Sequence, residues 1–289
     1  MPLAWATDLH LDTLGWATRD KREPKVKIKA FCDKLRYAEA STDGLLITGD
    51  IADGHPTDDW FAILKTAYRK PIYFVLGNHD YYNGGIDITT SRVRRYSKTL
   101  GGLHWLNDTD GVELSGSTML IGHDGWYCGT EGDGIESKLC KVAHSVPLAD
   151  MTPTGISELY MAAMYGMPRL FDLMAAFAKV SSDVIGSRAR TAAAQGFQRV
   201  LIATHVPPFW EASFYKKKKG PAHTAPFYVN KILGDGLLAV AAEHPDVEFV
   251  VYCGHAHDAR EYEAAPNLTV KTGKARCGWV PSLQVPIEV

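Results

Sequence analysis

Five short polar clusters punctuate the sequence. They are Asp8-Leu9-His10, Gly49-Asp50, Gly77-Asn78-His79-Asp80, Thr204-His205 and Gly254-His255-Ala256-His257. As candidate metal ligands they supply Asp8, His10, Asp50, Asn78, His205, His255 and His257, with His79 left over. Carboxylate, imidazole and amide oxygen are hard-to-borderline donors that suit Mn, Fe, Zn or Ni. A carboxylate can bridge two cations, and an Asn carbonyl ligates without adding charge. By formal count this set leaves two divalent ions with a net charge of about +2, enough to attract a phosphate anion and to acidify a bound water. Paired metals ~3.5–4 Å apart suit in-line displacement, since they hold the attacking and the leaving oxygen together. The chemistry these residue types point to is metal-dependent hydrolysis.

Each cluster follows a short apolar run. Leu3–Thr7, Gly44–Thr48, Ile72–Leu76, Arg199–Thr204 and Val247–Cys253 read as strands that deliver the polar residues at their ends. Ala30–Glu39 and Asp58–Tyr68 carry helical spacing between the first strands, and Lys21–Lys29 reads as a solvated charged stretch leading into a helix. Leu103–Leu106, Thr118–Gly122, Leu268–Thr272 and Ser282–Glu288 read as further strands. A strand–helix–strand rhythm of this kind predicts a largely parallel α/β core, with its site beyond the carboxyl ends of the strands. From about residue 124 to 196 the rhythm breaks. Ser157–Val180 is helical in pattern with Pro168 dividing it, and Ser181–Ala194 continues as helix. The expectation is one domain over residues 1–289, with a helical insertion or cap at about 126–197.

The bulk properties narrow the class of partner. The chain has 289 residues, 46% of them hydrophobic, and a formal net charge of -2. Such a balance gives no general attraction to nucleic acid or anionic membrane, so dedicated nucleic-acid binding is not expected and anion affinity must come from a local site. Cys32, Cys128, Cys140, Cys253 and Cys277 form no Cys-x-x-Cys pair, which argues against a thiolate zinc site and for reduced thiols. No apolar run approaches the ~20 residues that span a bilayer. A secretory leader would consume Asp8 and His10, so the predicted location is cytoplasmic, with no membrane partner.

Taken singly, an Asp-x-His or a Gly-Asp is a weak signal. All five clusters in order, each behind an apolar strand, are hard to obtain by chance. In that order the sequence resembles the calcineurin-like metallophosphoesterase superfamily, whose pattern runs Asp-x-His, Gly-Asp, Gly-Asn-His-Asp/Glu, His, Gly-His-x-His. The resemblance spans Asp8 to His257, with no motif between 124 and 196. It implies a fold of two mixed β-sheets packed as a sandwich and flanked by helices, which replaces the simpler parallel-sheet reading. It also implies that Asp8, His10, Asp50 and His257 hold one metal and that Asp50 bridges to a second completed by Asn78, His205 and His255. His79 would contact the phosphate and protonate the leaving alkoxide, with Asp80 orienting its imidazole. The implied reaction is attack on phosphorus by a metal-bridging hydroxide, with no covalent phosphoenzyme.

The same pattern matches the bacterial cyclic-nucleotide phosphodiesterase group, which favours a small phosphodiester as substrate. Phosphomonoester hydrolysis, or promiscuous cleavage of both, is the alternative. A non-catalytic scaffold on the same fold is a remote one, since no ligand is missing. A metal-dependent carbon-ester or lactam hydrolase would show a His-x-His-x-Asp-His cluster, which is absent here. For substrate contacts, Lys216–Lys219 could draw in anions, with Lys216 and Lys217 the candidates, although a lysine run is more often a solvated loop. Phe214, Tyr215, Phe227 and Tyr228 flank it and could stack on a base or an aryl group. His123, placed just after a strand, and His223, placed after the lysines, complete the candidates.

Overall fold

Alternation along the strands sets the layers. In the computed structural model, which describes residues 2–14, 23–54, 58–139 and 149–289, strands β1 (Leu3–Ala6), β2 (Gly44–Thr48), β3 (Ile72–Val75) and β4 (Leu103–Trp105) form a wholly parallel sheet in that order. A second, mixed sheet runs β11 (Arg260–Ala265), β12 (Leu268–Thr272), β10 (Glu248–Cys253), β7 (Arg199–Ala203), β6 (Thr118–Gly122) and β5 (Val112–Ser115). Its two edge strands are antiparallel to their neighbours and the inner ones are parallel. Side chains alternate faces with a period of two. Leu3, Trp5, Leu46 and Val75 therefore meet Leu120, Leu201, Val250 and Tyr252 in a core between the sheets. Ala4, Ala6, Ile47 and Phe74 turn the other way.

Helices cover both outer faces. Helices α1 (Glu23–Glu39), α2 (Asp58–Ala67) and α3 (Ile86–Thr99) pack on the parallel sheet through Phe31, Leu35, Phe61, Leu64 and Val93. Helix α4 (Ser157–Met164) joins that core through Leu159. The long α5 (Met167–Ala194) serves both sides. Its first half, with Leu170 and Met174, joins the core of the parallel sheet; its second half, with Ile185 and Ala189, packs on the mixed sheet beside α6 (Lys231–Glu243). Helices α4 and α5 of the region without a sequence motif thus form part of the outer layer. Pro168 stands in the first turn of α5, where its missing N–H costs nothing. Asn230 caps α6 by accepting the Leu233 N–H.

Residues 282–288 differ from expectation. They form no strand of the sheet and meet β1 through the isolated bridge from Leu3 to Ile287 and the Gln284 N–H, which donates to the Trp5 carbonyl. Pro281 precedes the stretch and Pro286 interrupts it, and a residue without an N–H cannot extend a ladder. The charged stretch read as leading into a helix is helical from Glu23 onward, and its residues 21 and 22 lie outside the described residues. Cys140 lies outside the described residues. The other cysteines are unpaired thiols. Among the described residues no helix is long and apolar enough to cross a membrane.

Candidate metal centre

The carboxyl ends of β1, β2 and β3 meet those of β7 and β10 at one edge of the sandwich. Asp8 and His10 follow β1, Asp50 follows β2, Asn78 and His79 follow β3, His205 follows β7, and His255 and His257 follow β10. Backbone bonds tie these loops together across the sheets: Asp8 N–H donates to Gly49 O, His10 N–H to Asp50 O, and Gly254 N–H to His205 O. The His255 N–H donates to Asp8 Oδ1 at 2.9 Å. Asp8, His10, Asp50, His255 and His257 all hold a left-handed backbone, with φ between 42° and 66°. That region is costly for residues with a Cβ and collects at functional sites. The glycines preceding the ligands give them room. A Cβ on Gly254 would lie 2.4 Å from Asp8 Oδ2.

Among the described residues, two of the donor clusters overlap at Asp50. Asp8, His10, Asp50 and His257 form one, and Asp50, His205 and His255 form the other, each with ligand atoms within 4.8 Å of one another. Asp50 belongs to both. Its Oδ2 lies 3.6 Å from His10 Nε2 and 3.3 Å from His205 Nε2, while its Oδ1 accepts the His79 N–H at 3.0 Å. Asn78 Oδ1 stands 3.2 Å from His205 Nε2, and Asp8 Oδ1 stands 3.3 Å from His257 Nε2.

The outer nitrogens of the imidazoles test whether this set suits cations. His10 Nδ1 meets Asp53 Oδ1 at 2.9 Å, His205 Nδ1 meets the Thr48 carbonyl at 2.9 Å, and His255 Nε2 meets the Phe227 carbonyl at 3.0 Å. A carboxylate or carbonyl oxygen only accepts, so each of these nitrogens carries the proton. In the metal-free protein nearby carboxylates raise the pKa of His10 and His205, against burial, so a cation would take the place of the proton on their inward nitrogens. His10 Nε2 is buried with no hydrogen-bond partner. Burial and the neighbouring His205 push the His255 pKa down to about 4, which keeps that ring neutral. Burial works against ionisation of Asp50, yet the His205 and His79 imidazoles hold it well below the usual carboxylate range. The donor set fits two divalent cations sharing Asp50.

His79 stands beside the clusters, and its orientation departs from expectation. Asp80 does not orient it. Asp80 is fully buried and accepts the backbone N–H groups of Ile51 and Ala52 at 2.9 and 3.0 Å and of Gly77 at 2.8 Å, so it braces the loops that carry Asp50 and Asn78. The carboxylate that meets His79 Nδ1, at 2.9 Å, is Asp53. The same Asp53 Oδ1 serves His10, so one oxygen aligns a metal-facing ring and the spare one. Burial opposes protonation of His79, but Asp50 and the Asp53 bond raise its pKa. Asp53 was legible in principle, as a carboxylate three residues beyond Asp50 on the same loop.

A pocket of about 360 Å³ opens over the centre, walled by Tyr82, Asp150, Tyr215, Phe227, Tyr228 and Cys277. Of the aromatic flank expected beside the lysines, Tyr215, Phe227 and Tyr228 line the pocket, while Phe214 does not and lies under the Arg260 guanidinium. Lys216 and Lys217 form the tip of a hairpin between β8 (Phe214–Tyr215) and β9 (Lys218–Lys219), and both have positive φ. The pocket wall there is Tyr215, with the Lys216 ammonium 5.1 Å from the centre of its ring. His123 is placed elsewhere, in a separate cavity with Trp126 and Arg188. Burial and Arg188 push its pKa down to about 4, and its Nδ1 accepts the Gly125 N–H. His223 does not line the pocket; its carbonyl accepts the Ser137 hydroxyl.

Fold and site together define a metal-dependent hydrolase of phosphoesters. Residues 1–259 match the calcineurin-like phosphoesterase family, and the chain belongs to that family. No curated protein matches it. Among solved structures it is similar to phosphopantetheinyl hydrolase from Mycobacterium tuberculosis, with 14% identity and a TM-score of 0.61 over 94% of this chain and 89% of that one. It is also similar to a dimetal phosphatase from Danio rerio, with 14% identity and a TM-score of 0.54 over 95% of this chain and 87% of that one. At such identity the likeness establishes the fold.

Proposed function

We propose that this chain hydrolyses small phosphodiesters. In this reading Asp8, His10, Asp50 and His257 hold one divalent cation, and Asp50, Asn78, His205 and His255 hold the second. The observation that carries it is the position of Asp50, whose Oδ2 faces His10 and His205 while His79 stands beside both clusters on a shared Asp53. Two cations held there would supply positive charge for the phosphoryl oxygens and would make hydroxide available at neutral pH. The protein's own residues do the rest. Asp53 fixes His79 Nδ1–H, so Nε2 is the nitrogen that hands a proton to the departing alkoxide. The aromatic wall of Tyr82, Tyr215, Phe227 and Tyr228 keeps bulk water off one side of the pocket and offers apolar surface to an ester substituent.

The pocket lining supports a diester over a monoester. Among the described residues that line it there is no Lys or Arg, and Asp150 adds a carboxylate. A diester carries one negative charge at neutral pH and a monoester close to two, so the monoester gains less from such a wall. The lysine hairpin beside Tyr215 favours the alternative, cleavage of monoesters or of both ester types. The test sets bis(4-nitrophenyl) phosphate beside 4-nitrophenyl phosphate and a 4-nitrophenyl carboxyl ester. The diester should show the highest kcat/KM, and preference for the carboxyl ester would defeat the proposal. His79→Ala should lose roughly 10²–10⁴-fold in kcat with its metal content unchanged; wild-type turnover in that variant would remove His79 from the chemistry.

A further inference from the structure

Asn78 can serve a cation only through Oδ1, because its NH₂ end is a pure donor. The two ends are nearly the same size, so something must choose between them. Oδ1 faces inward, 3.2 Å from His205 Nε2, and Nδ2 faces Asp150 Oδ1 at 3.0 Å. A carboxylate only accepts, so a reversed amide would set oxygen against oxygen and aim its NH₂ at the centre. Asp150 also gathers two phenols. Tyr82 donates to the same Oδ1, and Tyr127 donates to Oδ2 at 2.6 Å. The Tyr82 ring lies 4.6 Å from that of His79, and the Tyr127 ring stacks on His255 at 6.2 Å, 22° from parallel. Asp150 reaches this position from a turn, Ala149–Met151, held by Ile156 N–H donating to the Asp150 carbonyl. The same segment meets the Asn78 loop where Asn83 N–H donates to the Thr154 carbonyl.

We propose that Asp150 is a positioning residue. It fixes the inward orientation of the Asn78 carbonyl and, through Tyr82 and Tyr127, steadies His79 and His255. The motif-poor segment would then complete the centre without contributing a ligand. This rests on the two-cation reading above. Losing an outer partner of a metal ligand typically costs roughly 10–100-fold in metal affinity.

The experiment is calorimetric titration of Mn²⁺ into the metal-stripped full chain, wild type beside Asp150→Ala, with melting temperatures of both metal-free proteins. Wild type should bind two Mn²⁺. Asp150→Ala should keep one site near wild-type affinity and weaken the other by roughly 10–100-fold. Asp150→Asn, whose own NH₂ competes for the place facing Asn78, should weaken it by less, and it carries the test should the alanine variant not fold. A lower melting temperature with both Mn²⁺ affinities unchanged would make Asp150 merely structural and overturn the proposal. Fewer than two Mn²⁺ on wild type would instead sink the two-cation reading itself.

Discussion

Gly77→Ala probes the centre without removing any group that does chemistry. A Cβ at position 77 would lie 2.1 Å from Asp50 Oδ1, 2.6 Å from Asp50 N and 2.7 Å from His205 Cε1. Real Cβ contacts stay beyond 3.0 Å, so Asp50 Oδ1 or the Gly77 backbone must yield by about 0.9 Å. The Asp50 backbone nitrogen lies close on the same side, so rotating the carboxylate alone gives no relief. The move stretches the bond from His79 N–H to Asp50 Oδ1 and takes Oδ2 from its place between His10 and His205. A misplacement of about 1 Å at a reacting centre costs on the order of 10²-fold, or about 2.7 kcal/mol of barrier. The assay is kcat/KM for bis(4-nitrophenyl) phosphate in saturating Mn²⁺, with circular dichroism to confirm the fold. Gly116→Ala is the control, because a Cβ there meets nothing within 4 Å. Gly77→Ala should fall about 100-fold and Gly116→Ala should match wild type. Wild-type kcat/KM in Gly77→Ala would refute the claim that close packing against Gly77 sets the position of Asp50.

Three further outcomes are expected. Asp53→Ala removes the acceptor shared by His10 and His79, so metal affinity and kcat should drop together; unchanged Mn²⁺ binding in a calorimetric titration would contradict the shared role. In the metal-free protein, burial opposes ionisation of Asp8 and His257, yet each stabilises the other's charge, with Asp8 lowered to about 2 and His257 raised to about 10. The His257 contribution is complete below its ordinary value of 6.5 and lost as pH rises toward 10, whereas that of Asp8 is complete above 3.8 and lost as pH falls toward 2. Metal-free melting temperature should therefore peak between about pH 4 and 6.5, with the alkaline decline removed by Mn²⁺, which takes the place of the proton. A flat metal-free profile from pH 6 to 10 would contradict this pairing. Finally, Lys216→Asn with Lys217→Gly installs the residues that a two-residue turn with positive φ prefers, so melting temperature should rise, since left-handed backbone costs a side-chain-bearing residue roughly 1–2 kcal/mol. KM for the diester should rise as well if those ammonium groups attract it; an unchanged KM at low salt would assign the lysines to solvent alone.

What was legible in the sequence was local. Asp8, His10, Asp50, Asn78, His205, His255 and His257 each follow a buried strand directly, so the pattern of apolar run and polar end places them at one edge of the sheets. What was not legible depends on directions set by tertiary packing. Asp80 is next in sequence to His79, but the turn that presents His79 points Asp80 into the backbone amides behind it, and Asp53 arrives from another loop. Asp150 meets Asn78 across 72 residues of sequence with no motif around it. Helix α3 opens on Ile86, Ile88, Thr89 and Thr90, a β-branched run that hides its helical character until Val93 and Tyr96 pack on the sheet. The parallel direction of the first three strands followed from their helical crossovers. The mixed second sheet depends on pairings distant in sequence, such as β6 with β7, and only the family resemblance anticipated it.

The central claim is a pair of cations joined through Asp50. Its most direct test is the count of Mn²⁺ bound per chain, in wild type and in Asp50→Ala, with diester hydrolysis followed through the same titration. The account predicts two per wild-type chain, activity that develops as the second binds, and loss of tight binding at both sites in Asp50→Ala. Two tightly bound Mn²⁺ in Asp50→Ala, or diester hydrolysis by the metal-stripped wild type, would contradict it.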